Sequence, residues 1–90
     1  MIQNFDQTID GNVMQFCASL GEGPTLQRVI ISRADSAETL VILDASGLLA
    51  ALRAEFEDPA RLIAHAVGKA QTDGLIERAL ASGEIQHASL

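Results

Sequence analysis

The chain reads as an α+β protein: a four-stranded antiparallel meander followed by three short helices packed on one face of the sheet. Residues 1–43 show the alternation of strands, broken by turn dipeptides. After Ser46 the apolar residues recur three and four positions apart, the period of amphipathic helices. A length of 90 residues with 48% apolar content suits one two-layer domain, residues 1–90, with a thin core.

The first strand spans about 2–9, with Phe5 and Ile9 on one side and Asn4, Asp6 and Thr8 on the other. Asp10-Gly11 tolerates the positive φ angles of a tight hairpin. The second strand, about 12–20, alternates cleanly, with Met14, Phe16, Ala18 and Leu20 against Val13, Gln15, Cys17 and Ser19. Gly21-Glu22-Gly23-Pro24 lacks the Lys-Ser/Thr and the following helix of a phosphate-binding loop, so it reads as a connection.

Strands at about 25–32 and 38–43 form the next pair, joined by Arg33–Ala37. Both are apolar on two faces, the mark of strands central in a sheet or covered on both sides. A first helix at about 46–56, capped by Asp44 or Ser46, presents Leu48, Leu49, Leu52 and Phe56. A second, about 59–70, starts from Asp58-Pro59 and presents Leu62, Ile63, Ala66, Val67 and Ala70. Thr72 or Asp73 caps a third at about 73–82, which carries Leu75, Ile76, Ala79 and Leu80 and closes at Gly83. The segment EIQHASL fits a loose tail or a short final strand.

Net charge is −6, with five acids against Arg28 and Arg33 in residues 1–43, and seven against four cations beyond. That distribution offers no basic footprint for a phosphate backbone or an anionic membrane. The start MIQNFDQTIDG has neither a basic nor an apolar signal region, and no apolar run approaches a membrane span. A cytoplasmic protein is expected.

Catalytic motifs are not apparent, and no enzyme activity, cofactor or metal is expected. Cys17 is the only cysteine, without a base beside it in sequence, and reads as a packing residue. His65 and His87 have no metal-ligand spacing between them. Glu55, Glu57 and Asp58 crowd a helix junction, where negative charge favours the helix that follows. Residues 62–80 can be laid on a helix-turn-helix with Gly68 at the turn. Lys69, Gly74 and Glu77 then fall on positions that need apolar groups, and Arg78 is the lone cation of the recognition helix. A helical hairpin is the better reading.

The functional expectation is a small protein-binding module (an accessory subunit, inhibitor or regulatory protein) whose partner is another protein or a second copy of the chain. If helices cover one sheet face, Val29, Ile31, Val41 and Leu43 form an apolar second face. The alternatives are a small enzyme or ligand-binding domain, with Asp44, His65 or Arg28 in a cleft between sheet and helices, and an acidic nucleic-acid mimic.

Overall fold

The computed structural model describes residues 2–21, 27–47 and 58–90. The chain is α+β, with a five-stranded mixed sheet in the order β1-β2-β3-β4-β5. The strands are β1 (Ile2–Ile9), β2 (Asn12–Leu20), β3 (Arg28–Arg33), β4 (Thr39–Asp44) and β5 (Gln86–Ser89). Between β4 and β5 lie α1 (Pro59–Thr72) and α2 (Leu75–Ser82). A helix opens at Ser46–Gly47; the rest of the expected 46–56 helix lies outside the described residues.

The four-stranded antiparallel meander is therefore incomplete. The segment EIQHASL supplies β5, which pairs with β4 in parallel: Val41 with Gln86, Ile42 with His87, Leu43 with Ala88. Parallel neighbours cannot be joined by a tight turn and need a long crossover connection, which the segment carrying α1 and α2 supplies. With β3 on its other side, β4 is internal, and its apolar character on both faces follows.

The β1–β2 hairpin is built as its Asp-Gly dipeptide requires, with φ of 52° at Asp10 and 80° at Gly11, both positive as in a type I′ turn. From β2 the core is handed across the sheet by register. Ala18 lies beside Ile31 and Ile31 beside Val41, while Leu20 lies beside Val29 and Val29 beside Leu43. A register shift lets Ser32 face Thr39 and leaves Leu40 as the extra residue of a bulge. Leu40 and Val41 are consequently both buried although adjacent in sequence.

Onto this face pack α1, through Leu62, Ile63, Ala66 and Ala70, and α2, through Leu75, Ile76 and Ala79. Asp58 caps α1 by accepting from the Ala60 N–H at 3.0 Å, with Pro59 in the first turn. The start of α2 differs from expectation. Its N-cap is Gly74, at φ 67° and with no side-chain cap, and Asp73 instead closes α1. Asp73 accepts from Lys69 Nζ at 2.9 Å, and its carbonyl accepts from Arg78 Nη2 at 2.8 Å. The turn of this helical hairpin is thus Asp73-Gly74, and Gly68 lies within α1, which removes the helix-turn-helix alignment.

Facing decides the stability contribution of neighbouring residues in β3. Ile31→Ala is expected to cost about 2–5 kcal/mol in urea unfolding, the range for emptying a packed aliphatic site. Ile30→Ala, one residue away on the other face, should cost clearly less; equal losses would contradict the facing described here.

Candidate functional site

Val29, Ile31, Val41 and Leu43, expected to line a free apolar face, are each 0% exposed and belong to the core beneath α1 and α2. The period of a strand is two, so a face assigned with the wrong parity inverts completely. The expected split between a helix-covered face and a second face exists, with its residues exchanged.

On the opposite face the register sets out a cross-sheet row. Ile2 lies beside Ser19, Ser19 beside Ile30, Ile30 beside Ile42, and Ile42 beside His87. Ile30 and Ile42 are half-buried, and neither joins the side chains packed against the core. Ile2 and Val13 are the most exposed large apolar side chains among the described residues, at 69% each. A second row, Asn4–Cys17–Ser32, runs parallel to the first. Cys17 is half-buried between those two polar neighbours, with neither a histidine nor an acid across from it.

At the β5 end of this face is a shallow recess of about 320 Å³, lined by Arg28, Ile42, Asp44, His87, Ala88 and Ser89. Register places its polar members: Arg28 faces Asp44, and Asp44 faces Ser89. One Asp44 oxygen accepts from the Ser46 hydroxyl at 2.5 Å and from the Ser46 N–H at 2.8 Å. These two bonds, the hydroxyl first, hold the Asp44 carboxyl below its ordinary value of 3.8; burial opposes them, and the Arg28 charge adds a smaller pull in the same direction. Asp44 is therefore a carboxylate at neutral pH beside a guanidinium, an exposed imidazole and a hydroxyl. Such a set can hydrogen-bond polar groups of a bound molecule from several directions.

Two of the three residues expected in a cleft, Arg28 and Asp44, do come together, on the sheet face opposite α1 and α2, open among the described residues, and not between sheet and helices. The third, His65, is exposed on α1 and lines a different recess with Lys69, Asp73 and Leu90. His87 takes its place. Its position was legible only as a possibility, because EIQHASL alternates His87 and Ser89 against Gln86 and Ala88 once it is a strand. Of the acidic junction, Asp58 caps α1, while Glu55 and Glu57 lie outside the described residues. Among the described residues no three His, Cys, Asp or Glu side chains are placed to hold a metal ion, and no helix is long and apolar enough to cross a membrane.

Compared with protein-family models, with curated proteins and with solved structures, the chain gives no match.

The lowered Asp44 carboxyl binds a proton less readily in the folded chain than in the unfolded one. Its contribution to stability is thus complete above about pH 3.8 and fades as pH falls through the folded value below that. NMR titration should place the Asp44 midpoint below the ordinary aspartate range, and Ser46→Ala should move it upward. An unchanged midpoint in Ser46→Ala would remove Ser46 as the cause.

Proposed function

We propose that the chain is a protein-binding module whose docking surface is the open face of the sheet. The observation that supports this reading is the apolar row Ile2–Ser19–Ile30–Ile42–His87, on which no described element packs. Half-buried isoleucines in the middle of a sheet, with a polar rim of Asn4, Ser32, Arg28 and Asp44, have the build of an interface: an apolar centre that excludes water and a wet margin. The recess at Arg28, Asp44 and His87 is the polar end of that surface and fixes how a partner lies on it. The partner is a protein whose contacting surface is apolar at its centre.

A second reading has one observation in its favour, the convergence of Arg28, Asp44, His87 and Ser89 on a single recess. There the recess takes a small polar ligand and the isoleucine row merely borders it. For an acidic mimic of nucleic acid the surface is poorly furnished, since among the described residues Asp6 and Asp44 are the only acids on the open face of the strands.

Replacing Ile30 and Ile42 together by Thr keeps β-branched side chains in the strands while removing apolar area. Bound to a surface, the native chain should retain a protein from extracts of its own cells, and the Ile30→Thr/Ile42→Thr chain should lose it. A control change on the exposed side of α1, Arg61→Ala, should retain it. Retention by the double variant together with loss in Arg28→Ala would move the function to the recess. Equal retention by all of these chains would reject the open face altogether.

A further inference from the structure

The outer edge of β1 has a hydrogen-bonding pattern that can be derived. Residues flanking a two-residue type I′ turn exchange both backbone hydrogen bonds, so Ile9 and Asn12 form a hydrogen-bonded pair. By the period of two, Gln7 with Met14, Phe5 with Phe16 and Gln3 with Ala18 do the same. Ile2, Asn4, Asp6 and Thr8 therefore turn their N–H and C=O groups away from β2, toward the edge. Among the described residues no strand pairs there. The edge also lacks the usual protection, since β1 has neither proline nor lysine, its pairing with β2 is regular throughout, and Asp6 is its single charge.

We propose that β1 pairs antiparallel with β1 of a second copy of this chain, about a two-fold axis at Phe5. Ile2 then faces Thr8, Gln3 faces Gln7, and Asn4 faces Asp6 of the second copy. Outward-turned residues must meet outward-turned residues, and each side chain must stay on its own face of the sheet. Those two conditions leave registers centred on residues 3 to 7, of which those centred on Gln3 and Gln7 pair only residues 2–4 and 5–9. Centring on Asp6 sets its carboxylate against its own twin, a like-charge pair. Centring on Asn4 shortens the paired stretch to residues 2–6. Phe5 at the centre pairs residues 2–8 and gives each Asp6 carboxylate an Asn4 amide donor. It also brings the Gln3 carboxamide beside Gln7, whose Oε1 lacks a hydrogen-bond partner.

An independent observation points the same way. In one chain, Ile2 and Val13 are stranded on different rows of the open face, each 69% exposed. Val13 lies beside Thr8, and in this register Thr8 lies beside Ile2 of the second copy. The row His87–Ile42–Ile30–Ser19–Ile2 of one copy thereby runs on into Thr8 and Val13 of the other, and both isolated apolar side chains join a continuous strip. The pairing uses the edge alone, so it stands whatever the open face binds.

Light scattering on the purified chain tests this. The expected mass is twice the 9.5 kDa of one chain. Asp6→Pro removes an N–H that points to the free edge and leaves the β1–β2 ladder intact, so it should give the single-chain mass with an unchanged circular dichroism spectrum. Asn4→Asp places like charges at two symmetric positions and should weaken the dimer about tenfold. Adding Asp6→Asn to it re-creates the acid–amide pair in reverse and should restore the affinity. A single-chain mass from micromolar to millimolar concentration would overturn the proposal. So would a doubled mass that ignores both Asp6→Pro and the Asn4→Asp exchange.

Discussion

The fold depends on one constraint, the register by which β2 passes its facing to the strands after it. Phe16 and Ala18 of β2 are fully buried, and every strand paired in series behind them must turn the same parity toward α1 and α2. That condition picks Val29 and Ile31 over Ile30 in β3, and Val41 and Leu43 over Ile42 in β4. Neither strand could decide this for itself, because both are apolar on each side. A one-residue slip would exchange the two sets, and the bulge at Leu40 shows how a local insertion is absorbed without that exchange.

The helices answer to the same constraint. A sheet face built from Ala18, Val29, Ile31, Val41 and Leu43 is aliphatic and shallow, and α1 and α2 meet it with Leu62, Ile63, Ala66, Ala70, Ile76 and Ala79. Among the described residues the aromatic contribution is the tilted pair of Phe5 and Phe16 rings, with centroids 5.6 Å apart. Gln7 adds a polar tie from β1 to Glu77 on α2. The return of the chain as β5 beside β4 then completes the sheet and carries His87 to the open face, beside Ile42.

Local features were the legible ones. Asp10-Gly11 fixed a hairpin, Asp58-Pro59 a helix start and Gly83 a helix end, because each acts through its own backbone geometry. The alternation of β2 likewise separates its two sides, and the one that carries Phe16 and Ala18 is buried. What could not be read from residues alone was how strands 28–33 and 39–44 are phased against β2, since register is a property of two segments. Val29, Ile31, Val41 and Leu43 thus face α1 and α2 and not a second face, although the two-faced character of their strands is plain in the sequence. Thr72-Asp73 misled differently: both residue types cap helices well, yet the left-handed turn at Gly74 took the position and left Asp73 to end α1. The recess at Arg28, Asp44 and His87 depends on β5, a four-residue strand with little periodicity of its own.

The two edges of the sheet are unequal, and that inequality limits how copies can associate. β1 offers eight residues of regular strand, whereas β5 offers four, against a strand that it meets in parallel. Head-to-tail addition of a β1 edge to a β5 edge would leave a β1 and a β5 edge free at the ends, so nothing would stop it from repeating into a fibre. It would also match an eight-residue edge to one half as long and leave much of the longer one unpaired. Pairing β1 with β1 uses the full complementary stretch on both sides and consumes the long edge of each copy. Among the described residues, what would then remain unpaired is two short β5 edges, the kind that natural sheets tolerate. The proposed β1–β1 pair would thus be isologous and closed, whereas a β1–β5 contact would be open-ended.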